Sequence, residues 1–351
     1  MAYSDIKDPS AHFQTATYTG AGANQTITND GNSDLQPDFL WIKRRNAGYG
    51  HVVVDSNRGL GSSNPPYLAT EATDTENSNQ NWISGVGTDS FTIGINEQNL
   101  SNTSGTYVAW QWKANGGTTS SNTDGSITST VQANQDAGFN IVTYTGNGAN
   151  SNFGHGMGEQ PDMVFVKNRT SAASWCVWHK DLTSSYYLQL NTNISQQSGP
   201  WDGLDPNSSV VFVYSGGLVN ASGSDYVAYI FKSKQGYSKF GKYVGNGSQD
   251  GTMVYTGFKP AFVIMKRTDN TGAWHVFDNK RSGYNYANDV LQADSNTFEL
   301  SGQTYQFVDL LSNGFKVRRA TYGPNVSGGT YIYIAFAENP FVAGGIPTTA
   351  R

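Results

Sequence analysis

Cysteine is almost missing from this chain. Cys176 is the only one in 351 residues, so neither an intramolecular disulfide nor a cysteine-based zinc site can form. Such usage fits synthesis in a reducing compartment, with stability supplied by burial. Charge is sparse as well: Asp, Glu, Lys and Arg make up 14% of the residues. Exposed helix faces want Glu, Lys, Leu and Ala, so the shortage argues against helices. No segment carries an apolar stripe of period 3.6 over three turns, and no heptad is sustained. The net charge of −5 disfavours nucleic acid as a partner, because a basic patch is what releases phosphate counterions. Long apolar runs are lacking too. The cleanest, Tyr331 to Ala337, is far too short to cross a bilayer, and no membrane insertion is expected. The opening Met1 to Asp8 has no apolar stretch of the signal-peptide kind, so the usual secretion signal is not expected.

What is present points one way. Hydrophobic residues reach 37% and aromatics 13%, with 20 tyrosines and 40 glycines. Many aromatics and many turn formers predict short strands joined by polar turns. The chain also repeats itself. Asp38-Phe39-Leu40-Trp41-Ile42-Lys43-Arg44-Arg45, Asp162-Met163-Val164-Phe165-Val166-Lys167-Asn168-Arg169 and Ala261-Phe262-Val263-Ile264-Met265-Lys266-Arg267-Thr268 are three versions of one octet. Each follows a glycine-bearing element: Tyr18-Thr19-Gly20, Tyr144-Thr145-Gly146 or Tyr243-Val244-Gly245. Each precedes an aromatic strand beginning at Tyr107, Tyr226 or Tyr331. Landmarks recurring in constant order mark a building block, so function is sought in surfaces before clefts.

The expected fold is all-β: three tandem antiparallel β-sandwich-like modules of about 100 residues each. Residues 1–12 form an N-terminal arm, 13–115 the first module, and 116–138 a linker with a lead-in strand. Residues 139–235 form the second module, 236–339 the third, and 340–351 a C-terminal tail. Within the octets both faces are apolar until the basic end, as in a strand covered on both sides that exits into water. Trp41, Phe165 and Ile264 are expected at equivalent core positions.

The candidate chemistry reads mostly as structure. His51 and His275 are placed in one strand slot with Cys176, and a slot that accepts His or Cys is structural. His155 and His179 show no metal-ligand spacing. Asp55, Asp181 and Asp278 follow that strand and are expected to serve a turn or to pair with the basic clusters Lys43/Arg45, Lys167/Arg169 and Lys266/Arg267. Asp202-Gly203-Leu204-Asp205 and Asp74-Thr75-Glu76 are acidic runs, but no D-x-D-x-D-G calcium loop is present. Gly20-Ala21-Gly22 and Gly146-Asn147-Gly148 suit hairpin tips better than phosphate cradles. No catalytic residue, metal site or cofactor is expected. The residues best suited to a surface ligand are the loop aromatics Tyr49, Trp82, Trp201, Tyr284 and Tyr286. They are weighed against a role in filling module interfaces.

Four longer motifs carry a resemblance. They are Gly236 to Gly251, Tyr255 to Thr268, the ending Tyr331 to Phe341, and the connector Ile127 to Gly146. They resemble a repeat family of tailed-phage proteins, many from marine phages, over nearly the whole chain. The resemblance implies a virion structural or tail-associated protein, made in the host cytoplasm, with no activity and no functional residues to carry over. The expected role is a tail fibre or spike subunit for host-surface attachment. The alternatives are a capsid decoration (cement) protein and a carbohydrate-binding module of concanavalin-like type, with or without hydrolase activity. Expected partners are other virion proteins, further copies of the chain and a host surface glycan.

Overall fold

The period-two octets extend as strands because branched and aromatic side chains alternate without a helical stripe. In the computed structural model each octet lies third in a four-strand order. The model describes residues 4–340 except 63, 79–81, 184, 202, 284, 302–306 and 320–322, plus the backbone of 342–343 and 346–347. The fold is all-β, built of antiparallel sheets. In residues 13–115 the order is Phe13–Thr19, Thr106–Trp112, Phe39–Arg44, Val52–Asp55. In residues 139–235 it is Phe139–Thr145, Asp225–Phe231, Met163–Asn168, Cys176–His179. In residues 236–339 it is Ser238–Val244, Thr330–Pro340, Phe258–Arg267, His275–Asp278. We call these stretches the first, second and third segments. A small sheet covers the outer face of each, such as Gln25–Thr28, Ser90–Ile93 and Ile83–Gly87 in the first.

Each segment buries its own cluster between large and small sheet, around Phe91, Val211 and Phe315 respectively. The opposite faces of the three large sheets meet in a fourth, shared cluster. Trp41 pairs with Trp110, Phe165 with Tyr229 and Ile264 with Ile334. All six are buried and point into that shared centre. Aromatic edges lock it: Phe39 meets Tyr229 at 4.5 Å, Trp110 meets Phe262 at 5.5 Å, and Phe231 meets Phe336 at 6.1 Å. Such pairs contribute about 0.5–1.5 kcal/mol each beyond their buried area.

The glycine-bearing elements have a steric cause. At Gly20, Gly146 and Gly245 a Cβ would collide with the carbonyl oxygens of Asn102, Ala221 and Val326. The tyrosine two residues earlier then stacks on the first tyrosine of the last strand. The pairs Tyr18–Tyr107, Tyr144–Tyr226 and Tyr243–Tyr331 have centroids 5.1, 5.1 and 5.0 Å apart. Each second tyrosine hydroxyl accepts the backbone N–H five residues upstream, from Asn102, Ala221 and Val326.

The connections carry structure of their own. The arm docks: Asp5 N–H donates to Gln235 O at 3.2 Å, and Ile6 joins the shared centre. The glycine-rich linker contributes a strand of its own, Ser120–Asn122, paired with Ser129–Asn134, which continues onto Phe139–Thr145. In the tail, Val342–Ala343 pairs with Ile346–Pro347; the rest of 341–351 lies outside the described residues.

Candidate functional site

The charged and polar residues that recur in the sequence do not converge on a cleft. They line three seams where each large sheet meets the next. Seam A joins the second segment to the first, seam B the first to the third, and seam C the third to the second. The octet lysines are the common element. Each is fully buried, because the strand that begins under aromatics carries its basic end beneath the neighbouring loop. Lys43 Nζ donates to the carbonyls of Arg44, Tyr49 and Asn296 at 3.0, 2.7 and 3.3 Å. Lys167 Nζ donates to Asn168, Ala173 and Thr73 at 3.0, 2.9 and 3.1 Å. Lys266 Nζ donates to Arg267, Ile194 and Asn193 at 2.7, 2.7 and 3.4 Å. An ammonium has three donors, and each of these finds three carbonyls, at least one across the seam. Burial pushes all three ammonium groups down to about 8.

A second common element is a ring N–H facing the neighbouring segment. Trp175 Nε1 donates to Ala69 O at 2.8 Å across seam A, and Trp274 Nε1 to Gln189 O at 2.9 Å across seam C. Across seam B the place is taken by His51, whose Nε2 lies 3.0 Å from Gln292 O, while Trp41 Nε1 donates to its Nδ1 at 2.8 Å. The backbone N–H groups of these residues donate to Glu71, Asn191 and Asp294. The register corrects the sequence reading here. His275 opposes Met265 and Cys176 opposes Val166, but Val52, not His51, opposes Ile42. His51 sits one residue earlier and so faces the other way.

Seams A and B add buried ion pairs. Asp55 and Asp278 cap short turns and pair with Arg58 and Arg281 at 2.6 Å. These arginines reach Glu76 and Glu299 at 2.8 Å, and the same glutamates take Arg169 and Arg45 from across the seam at 2.7 and 2.8 Å. Tyr229 Oη donates to Asp55 at 2.6 Å, and Trp110 Nε1 to Asp278 at 3.0 Å. Burial alone would raise the Glu76 carboxyl, but Arg58 and Arg169 hold it below the usual carboxylate range. Seam C has none of this. His179 stands opposite Met163 where Asp55 and Asp278 stand opposite Phe39 and Phe262. Ile334 replaces the donor ring, and of the glutamate–arginine contact only the backbone bond common to all three seams is left, Gln196 N–H to Thr268 O at 2.9 Å, as Glu76 N–H to Arg169 O and Glu299 N–H to Arg45 O. Burial, and Lys180 nearby, push the His179 imidazole down to about 3. Two expectations therefore change. Asp181 is not the counterpart of Asp55 and Asp278, and the octet lysines clamp carbonyls instead of pairing with those aspartates.

The proposed surface aromatics do not come together. Trp201 is fully buried in the second segment's own core, so it offers no surface to a ligand. Trp82 is half-buried and lies against Tyr67 at 4.6 Å. Tyr49 is half-buried under the Arg44 guanidinium at 4.8 Å. Tyr286 is 43% exposed, and Tyr284 lies outside the described residues. Of the acidic runs, Glu76 is consumed by its two arginines and Asp205 accepts Trp178 Nε1 at 3.1 Å; Asp202 lies outside the described residues. Among the described residues no three His, Cys, Asp or Glu side chains are grouped to hold a metal ion.

The shared centre encloses only about 20 Å³ between residues such as Trp41, Phe165 and Ile264, below what even a small ligand needs. A groove of about 650 Å³ runs along seam C beside Asn193, Arg267, His275 and Asp294. Asp294 there does the same work as Asn191 and Glu71, accepting a strand N–H, which makes it structural. None of the described helices is long and apolar enough to cross a membrane. The arrangement is built to hold three sheets together, with its charges neutralised inside. No curated protein matches this chain. The model of a family described as a domain of unknown function (DUF7483) matches residues 8–340, from the docked arm to the end of the last large-sheet strand, and the chain belongs to that family.

Proposed function

We propose that this protein is a non-catalytic structural component of a phage virion, a tail fibre or spike-type subunit that contacts the host surface. The observation that carries the reading is the use of the recurrent charged residues. Lys43, Lys167 and Lys266 are buried in bonds between segments, and both Asp–Arg–Glu sets are tied to the neighbouring segment through Arg169 and Arg45, leaving outer loops as the part free to meet a partner. A body closed around one apolar centre suits a particle component that must stay folded outside the cell. The likeness of the Gly236–Gly251 and Tyr331–Phe341 motifs to tailed-phage repeats gives the setting. In this reading the partners are other virion proteins, further copies of the chain and a glycan of the host surface.

Immunogold labelling of purified particles with antibody to the full chain tests it. Gold on the tail is expected. Gold over the shell would move the protein to a capsid decoration role, and particles without gold would overturn the virion reading. Release of reducing ends from polysaccharide by the purified chain would overturn the non-catalytic part.

A further inference from the structure

A cleft of about 370 Å³ opens where the second segment runs into the third, lined by Lys180, Ser233, Lys234, Lys239, Tyr255 and Thr256 among others. Among the described residues three ammonium groups line it and no carboxylate does. One more lysine, Lys232, is the chain neighbour of the lining Ser233. The acids within ion-pair reach of these four are fewer. Asp162 is shared by Lys180 at 3.2 Å and Lys232 at 3.4 Å, and Glu159 takes Lys234 at 2.8 Å. Four lysines against two carboxylates make a positive patch on a chain of net charge −5.

Lys239 is the unbalanced member. Among the described residues no carboxylate lies within ion-pair distance of it. Its Nζ donates to Tyr255 O at 3.0 Å and sits 5.4 Å from the Tyr255 ring centroid. Burial, and then Lys180, lower this ammonium below its usual range; a bound anion is what relieves such a pair of like charges. Tyr255 is 54% exposed, so its ring is available to a ligand at the mouth of the cleft. An aromatic face beside hydroxyl and ammonium donors suits a sugar ring, and the excess lysines suit an acidic group on that sugar.

We propose that this cleft binds an acidic saccharide, with its carboxylate or sulfate between Lys180 and Lys239 and its ring against Tyr255. A neutral sugar leaves Lys239 without a counter-charge, and a bare anion makes no use of the tyrosine. The proposal concerns binding by the isolated chain, so it stands or fails separately from the particle labelling above.

Calorimetric titration of the full chain at low salt tests it, with four probes: tetragalacturonate, a sulfated carrageenan tetrasaccharide, cellotetraose and inorganic sulfate. At least one of the two acidic saccharides is expected to bind, and its preference names the acidic group. Cellotetraose is expected to bind roughly tenfold or more weakly, the loss of one charge-assisted contact, and inorganic sulfate more weakly than the saccharide because it makes no contact with the Tyr255 ring. Lys239→Gln and, separately, Lys180→Gln should each weaken binding of the acidic saccharide by roughly tenfold. Tyr255→Ala should weaken it by a smaller factor, and the remote Lys280→Gln should leave it unchanged. All four side chains are half-buried or exposed, so unaltered melting of the variants is expected. Equal binding of cellotetraose, sulfate binding as tight as that of the saccharides, full binding by both lysine variants, or no binding of either acidic probe would each overturn the proposal.

Discussion

Seams A and C join the same kind of surfaces with different chemistry. Both have a lysine clamped to three carbonyls and an indole N–H donating across the join. Seam A adds Asp55, Glu76 and Arg169 in one network with Arg58 and Tyr229; seam C has His179, Gln196 and Thr268 in the places of Asp55, Glu76 and Arg169, and Ile334 in that of Tyr229. The comparison separates what closure requires from what it tolerates. Apolar contact and the lysine clamp are common to every seam, so these hold the sheets together. The ion-pair network is absent from one seam, so it is dispensable as a set. A buried network can be exchanged whole for less polar groups at little cost, but removing one partner strands a charge.

The largest effect follows from that asymmetry. Asp55→Ala at seam A, or Asp278→Ala at seam B, leaves a fully buried arginine short of its nearest carboxylate and should cost about 3–5 kcal/mol. His179→Asn at seam C strands no ion and should cost about 1–2 kcal/mol. Urea unfolding of the three variants measures this. Equal losses at Asp55 and His179 would show that the seams do not differ in the way described.

A middle-sized effect tests what the seams share. Lys43→Met, Lys167→Met and Lys266→Met each remove three hydrogen bonds to carbonyls, and each should cost about 1–3 kcal/mol. The three losses should be alike, because the clamp is alike. A much larger loss at Lys266 would mean that seam C leans on its clamp to make up for the missing ion pairs.

The smallest effect is graded by pH. Burial pushes His51 and His179 down to about 3 and His275 to about 4, from an ordinary 6.5. The unfolded chain therefore takes up these protons first. Their contribution is fully present above pH 6.5 and is lost as pH falls from there toward 4 and then 3. Each histidine steepens the fall by at most about 1.4 kcal/mol per pH unit. Replacing His179 by Asn should make the slope of melting temperature against pH shallower between 6.5 and 4. An unchanged slope would place the titrating groups elsewhere.

Parts of this arrangement were legible in the residues. The octets could be found because alternation and recurrence are local properties. Trp41, Phe165 and Ile264 share a letter pattern and do face one centre. The glycines after Tyr18, Tyr144 and Tyr243 recur because a carbonyl passes too close for a Cβ. The slot of His51 was misread by one residue, and in a strand one residue turns a side chain to the opposite face. Asp181 was matched to Asp55 by its letter, although strand register puts His179 there. Trp201 looked like a loop aromatic because its neighbours are Gly, Pro and Asp; nothing local tells that the loop folds inward over the second segment's core.

Strand content, the absence of long helices among the described residues and the recurrence of one motif were determined by the sequence alone, because side-chain alternation, β-branching and turn residues act over a few positions. Which residues meet was decided only by tertiary structure. Tyr229 finds Asp55 across 174 positions, and Arg45 finds Glu299 across 254. Such bonds exist because three sheets share one apolar centre, which brings distant backbone carbonyls and charges into reach and excludes the water that would otherwise solvate them.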